Sequence, residues 1–115
     1  MLIRFKKTME KIAMGLLSFT TEEKDIKKLQ ETIKIYSENQ EDVLFLWKEH
    51  EDMIGAIGIH VDDDLKRLTI QHVSVNPSHR DNGIGQQMVQ ALCQRYDAYE
   101  VVGNQLTDDF LSKCK

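Results

Sequence analysis

Arg67-Leu68-Thr69-Ile70-Gln71-His72-Val73-Ser74-Val75, continuing through Asn76-Pro77-Ser78-His79-Arg80-Asp81-Asn82-Gly83-Ile84-Gly85, is the stretch that decides the architecture. Its first nine residues read as a strand, and Pro77 ends it because proline lacks the N–H a ladder needs. Apolar positions are even at Leu68 and Ile70 and odd at Val73 and Val75, so the phase slips at Gln71-His72. Side chains of a strand alternate with period two, and such a slip marks a β-bulge, which bends a strand and can prise it from its neighbour. A strand buried on both faces would give the same pattern, since parity then carries no information. Beyond the turn, Met88, Val89, Leu92, Cys93 and Tyr96 mark the inner face of a helix beginning near Gly85. A short strand follows at 99–102. A strand, helix, strand succession of this length implies a right-handed crossover and parallel pairing of the two strands.

Working outward, residues 2–6 alternate as a first strand, and Met9, Ile12, Ala13, Leu16 and Leu17 recur at helical spacing. After a turn at 18–21, Thr20 and Glu23 have capping-box spacing, and Ile26, Leu29, Ile33 and Tyr36 line a second helix that gives way at 37–40. Residues 43–48 and 53–61 are β-rich runs around the charged turn Glu49-His50-Glu51-Asp52, the pattern of an antiparallel hairpin. Asp62-Asp63-Asp64 lacks the ligand spacing of an EF-hand loop and reads as a solvated turn. Downstream, Thr107 or Asp108 caps a closing helix through Phe110, Leu111 and Cys114.

The 115 residues suit a single domain, 1–115, with one core and one site. A net charge of −4 without any basic run argues against nucleic acid, whose phosphates need clustered Lys and Arg. A cationic or neutral small partner fits better. Lys6, Lys7 and Lys11 precede the apolar run Ile12-Ala13-Met14-Gly15-Leu16-Leu17 as in a signal peptide, but a strand comes first and no cleavage site follows. No apolar run approaches the roughly 20 residues of a membrane span. Cys93 and Cys114 form neither a disulfide framework nor a metal cluster, and as buried, reduced thiols they indicate a cytoplasmic protein.

A strand that runs through a glycine-containing turn into a helix is an anion site in the making: helix N-terminal N–H groups favour phosphate, and glycine lets the backbone approach. A P-loop would need Gly-Lys-Ser/Thr, and a dinucleotide fingerprint would need glycine or alanine where Met88 stands. Val75-Asn76-Pro77 followed by Arg80-Asp81-Asn82-Gly83-Ile84-Gly85 resembles instead the GNAT acetyltransferase family, whose signature is Arg or Gln, two residues, Gly, one residue, then Gly or Ala. The order of elements also matches. The resemblance implies the GNAT acyl-CoA N-acyltransferase fold, an α+β member of the broad α/β class. Its mixed, mostly antiparallel sheet would carry a bulged central strand, in the order β-α-α-β-β-β-α-β-α.

The resemblance also implies acetyl-CoA as cosubstrate, no metal, and an unknown amine acceptor. Backbone amides of Arg80, Asp81, Asn82, Gly83, Ile84 and Gly85 would wrap the pyrophosphate. Val73, Ser74 and Val75 would hydrogen-bond the pantetheine arm in the splay beside the last strand, and Val73 N–H would stabilise the carbonyl oxygen. Arg80 either contacts phosphate or is a solvated arginine. Asn104 matches an asparagine near the pantetheine, or is a simple loop residue. A branched side chain at Gly85 is expected to collide with ligand and to spare the core. His72, at the phase slip, is the first candidate for the general base and His60 the second; the competing and commoner role for either is a half-buried strand residue paired with a neighbour. Phe110 and Leu111 stand where many members place a tyrosine that protonates the departing thiolate. Larger members add final strands that wall the acceptor site, a wall that a second subunit, as in a homodimer, could supply. Two functions remain at this point: an N-acetyltransferase acting by direct attack, or a module that binds acetyl-CoA with little turnover.

Overall fold

In the computed structural model, which describes residues 1–19, 26–79, 83–104, 107–108 and 110–111, β1 (Leu2–Arg4) leads through a 3-10 turn at Lys7–Met9 into α1 (Glu10–Leu17). Then come α2 (Ile26–Glu38), β2 (Asp42–Glu49), β3 (Asp52–Asp62), β4 (Arg67–Val75), a 3-10 turn at Pro77–His79, α3 (Ile84–Arg95) and β5 (Glu100–Gly103). The five strands lie in sequence order in one sheet. Neighbours from β1 to β4 are antiparallel, while β4 and β5, joined by the α3 crossover, are parallel. This is the mixed, mostly antiparallel α+β arrangement expected from the sequence. The Thr20–Glu23 pair and Cys114 lie outside the described residues.

Strand alternation sorts the core into two layers. Leu44, Leu46 and Ala56 pack beneath α1 and α2 against Ala13, Leu16, Leu17, Ile33 and Tyr36. On the other face Phe45, Ile57, Ile59, Leu68 and Ile70 meet Met88, Val89 and Leu92 of α3. Each such side chain, once buried, contributes about 1.5–3 kcal/mol relative to exposure, so both faces are needed to hold three short helices on the sheet. Two residues counted among the helices' apolar positions turn outward. Ile12 lies on the rim of the α1 stripe set by Ala13, Leu16 and Leu17, and Ile26 is the first residue of α2; both are exposed.

The phase slip in β4 is a bulge. Gly58 pairs with His72 and Ile59 with Ile70, leaving Gln71 as the extra residue. Gln71 and His72 therefore send consecutive side chains to one face: Gln71 reaches Asp42, and His72 reaches Tyr36 of α2. Gly58 makes the second contact sterically feasible, because a Cβ there would stand 2.1 Å from the Tyr36 hydroxyl oxygen.

Candidate functional site

The bulge divides β4 into halves with different neighbours. β5 pairs with Arg67 through Ile70 and no further. At that point Thr107 Oγ1 donates to the Ile70 carbonyl at 2.6 Å, taking the acceptor that a longer ladder would have used. Thr107 is held by a reciprocal cap: Asn104 Oδ1 accepts from Thr107 N–H at 3.0 Å, and Thr107 Oγ1 accepts from Asn104 N–H at 3.0 Å. Asn104 is thus the N-cap of the closing turn, with Leu111 N–H donating to the Thr107 carbonyl. Thr107 stands directly before Asp108, the first helical residue of the described closing segment, so the expected cap position and the Asn104 cap meet at this residue. Asn104 Nδ2 also faces the Gln71 carbonyl at 3.4 Å, which places it at the mouth of the splay.

Past Ile70, the edge of β4 that faces away from β3 carries no strand among the described residues. Asn76 N–H donates to the Ile54 carbonyl, so in the antiparallel alternation Ser74 and His72 turn their backbone groups toward β3, while Val73 and Val75 turn theirs toward the open edge. This separates residues that the sequence grouped together. Val73 and Val75 offer free N–H and C=O groups, whereas Ser74 spends its backbone on Ala56 and its buried hydroxyl on the Leu16 carbonyl of α1. Ser74 ties α1 to β4 and has nothing left for a ligand on the open edge.

The N-terminus of α3 lies next along the chain. Gly83 occupies the N-cap position with φ of +73°, a left-handed conformation that costs a side-chain-bearing residue roughly 1 kcal/mol or more, and no side chain caps the helix among the described residues. Its first intrahelical bond runs from Gln87 N–H to the Gly83 carbonyl, leaving the N–H groups of Ile84, Gly85 and Gln86 without helical acceptors. Arg80, Asp81 and Asn82 lie outside the described residues. The Ile84 side chain is core, so only its backbone can serve a ligand. Gly85 corrects the expected collision: a Cβ there would stand 2.6 Å from Phe110 Cζ, so the glycine is required by the closing segment packed against it.

The two histidines sit in one polar seam on the α1/α2 face. Tyr36 Oη and His72 Nδ1 are 2.6 Å apart with the rings edge to face. Burial, reinforced by the charge of Asp42, pushes the Tyr36 hydroxyl well above the usual phenol range, and burial pushes His72 below the usual imidazole value. Two residues along β3, His60 Nδ1 is 2.9 Å from Asp42 Oδ1, which also accepts from Gln71 Nε2 at 3.0 Å, while Asp42 Oδ2 accepts from Asn39 Nδ2 at 3.2 Å. Burial works against ionisation of Asp42, but hydrogen bonds from His60, Asn39 and Gln71 outweigh it and hold the carboxyl below its ordinary range. Tyr36, Asp42, Gln71 and Asn39 were not among the residues singled out from the sequence as a site. A groove of about 590 Å³ lined by Arg4, Phe5, Lys34 and Tyr36 shares only Tyr36 with this seam and includes none of the open β4 edge. Among the described residues no group of His, Cys, Asp and Glu could hold a metal ion, and no helix is long and apolar enough to cross a membrane.

The model of the acetyltransferase (GNAT) family matches residues 9–107. A Bacillus methanolicus protein named "Uncharacterized N-acetyltransferase in lysA 3'region" is 54% identical over 115 residues, which cover 100% of this chain and 95% of that one. Among solved structures, AAC(6')-Iy in complex with the bisubstrate analog CoA-S-monomethyl-acetylneamine superposes with a TM-score of 0.78 at 15% identity, covering 98% of this chain and 84% of that one. The aminoglycoside acetyltransferase meta-AAC0020 from an uncultured soil metagenomic sample, in complex with sisomicin, gives a TM-score of 0.74 at 17% identity, covering 100% of this chain and 86% of that one. At such identities the structural likeness establishes the fold alone.

Proposed function

The chain belongs to the GNAT acetyltransferase family, and from that membership we propose that it is an N-acetyltransferase for a small, cationic or neutral amine, with acetyl-CoA as donor. The observation that carries this reading is the open edge of β4. Val73 and Val75 present strand-like hydrogen-bonding groups beside the N-terminus of α3, which no side chain caps among the described residues, and an extended amide-bearing arm ending in a pyrophosphate fits both.

In this reading Arg80, Asp81, Asn82, Gly83, Ile84 and Gly85 hold the phosphates through backbone amides, and Val73 and Val75 hold the pantetheine. Asn104 lines the mouth of the splay. Bound there, acetyl-CoA supplies an activated acyl group; the chain's part is to orient it, polarise it and remove a proton. Val73 N–H, next to the bulge, stabilises charge on the carbonyl oxygen in this reading, an effect often worth about 3 kcal/mol. An amine with a lysine-like pKa of about 10.4 is mostly protonated near neutrality, so a proton acceptor is needed, and His72 and His60 are the candidates in the seam. The net charge of −4 and the carboxylates of Glu41 and Asp42 near His60 favour a cationic acceptor.

Phe45-Leu46-Trp47-Lys48 and Glu100-Val101-Val102-Gly103-Asn104 further resemble RibT, the family member encoded beside riboflavin-synthesis genes in bacilli. Flavin precursors therefore join polyamines and amino acids in the acceptor screen. The reading also takes the protein to be cytoplasmic, with a homodimer as one form to be checked by its mass in solution. Calorimetry should show acetyl-CoA and CoA binding that survives EDTA, and thiol release should follow addition of an accepted amine. Absence of CoA binding would overturn the reading.

A further inference from the structure

The seam contains two histidines, and their surroundings assign them different tautomers. We propose that Asp42 is a positioning residue that holds His60 with Nδ1–H donated to its carboxylate and Nε2 unprotonated, so that His60, and not His72, takes the acceptor amine's proton. This rests on the acetyl-transfer reading and deepens it.

What each partner can donate fixes where the imidazole protons sit. The Tyr36 hydroxyl has His72 Nδ1, at 2.6 Å, as its one hydrogen-bond partner among the described residues, so its proton points there and it donates. That contact consumes the lone pair of His72 and leaves its proton on Nε2; burial disfavours a second proton. His72 is thereby a neutral acceptor for Tyr36 and a poor base. Asp42 presents the opposite case, because its carboxyl stays ionised and an ionised carboxylate only accepts. The 2.9 Å contact must therefore use a proton on His60 Nδ1. Nε2 then carries the lone pair, and the His60 side chain is 43% exposed, open to an incoming ammonium or a bridging water.

The bulge links this dyad to the reacting position. Gln71, the extra residue of β4, fixes Asp42 from one side and Asn39 fixes it from the other. His60 lies on the same face as Tyr36 and His72, two residues along β3 from Gly58, the register partner of His72, so its proton route to the reacting position runs through water along that face. The charged groups facing His60 are Asp42 and, at 3.9 Å from Nε2, Glu41; β4 presents Thr69 and Gln71, and Asp62 on β3 itself accepts from the Leu65 N–H. In the reaction the ammonium gives one proton through water to Nε2, and its freed lone pair forms the C–N bond to the acetyl carbon. The C–S bond breaks with its electron pair going to sulfur, which takes the second nitrogen proton. The proton on His60 returns to solvent, so the products are amide, thiol and one released proton.

The test has an arm without substrate and an arm with it. Imidazole ¹⁵N spectra of the protein above the histidine titrations should show His60 protonated at Nδ1 and His72 at Nε2, and Asp42→Asn should convert His60 to the Nε2–H form, since an amide can donate to Nδ1. With acetyl-CoA and methylamine, a strongly basic probe, His60→Gln should lower kcat about 100-fold and Asp42→Asn about tenfold, with CoA affinity unchanged. With hydroxylamine, which is already unprotonated at neutral pH, each loss should be at least tenfold smaller. Finding His60 protonated at Nε2 in the wild type, or equal losses with both amines, overturns the assignment while leaving acetyl transfer intact. Wild-type protein that releases no thiol with either amine overturns the acetyl-transfer reading and this inference together.

Discussion

The two halves of β4 are made of similar residues and do opposite things. From Arg67 to Ile70 the strand is paired on both sides, with β3 and β5, and its apolar side chains complete the α3 face of the core. From Gln71 to Val75 it is paired on one side only among the described residues, and the backbone of Val73 and Val75 faces the unpaired side. One inserted residue and one buried hydroxyl separate the halves. The bulge at Gln71 re-aims the strand, and Thr107 occupies the Ile70 carbonyl where the parallel ladder would continue. An edge of this kind is a liability in a stable sheet and an asset in a site that binds an extended ligand.

The contrast can be broken most severely at Thr107. Thr107→Val keeps the shape but removes the hydroxyl from Ile70 C=O and Asn104 N–H, both in a closed environment, and should cost about 3 kcal/mol as two groups lose partners. Chemical denaturation measures it. A variant as stable as wild type would show that the hydroxyl does not close the paired half.

Gly85 probes where the open half meets α3. Gly85→Ala should destabilise by about 2 kcal/mol through overpacking against Phe110, and Phe110→Ala should relieve part of that, giving a coupling of at least about 0.5 kcal/mol in a double-mutant cycle. Additive effects would remove the packing account and return Gly85 to a purely ligand-facing role.

The smallest effect concerns pH and the residue at the bulge. His72 binds its proton more weakly folded than unfolded, so its contribution to stability is complete above the unfolded value of about 6.5 and is lost as pH falls through the folded one. Asp42, whose folded value is also depressed, acts in the same direction but below about 3.9. Stability should therefore fall between pH 7 and 5, and His72→Gln should flatten that interval while leaving the lower one. An unchanged slope in the variant would place the titration elsewhere.

Much of this was legible in the chain. The period-two slip named the bulge, because a strand cannot carry two consecutive inward residues without one extra backbone unit. Likewise, the length between β4 and β5 required a parallel crossover, and the glycine spacing marked a helix start with free amides. The partners in the seam were less accessible. Counting back from the Glu49–Asp52 pair sets His60 opposite Glu41, but the irregularity between Trp47 and Lys48 shifts the register by one, and the residue that pairs with His60 is Asp42. No local pattern records that shift.

What the sequence determined by itself, then, is whatever depends on neighbours along the chain: strand and helix periods, the bulge, the helix start at the glycine turn and the family. What only the tertiary structure decided depends on atoms brought together from distant segments. Ser74 belongs to α1 through Leu16, Gly85 to Phe110, and Asn104 to a cap that ends the β5 ladder. The tautomers of His60 and His72 follow the same rule, for the proton on an imidazole is placed by whichever donor or carboxylate the fold sets beside it, and Tyr36 lies 36 residues from His72 while Asp42 lies 18 from His60.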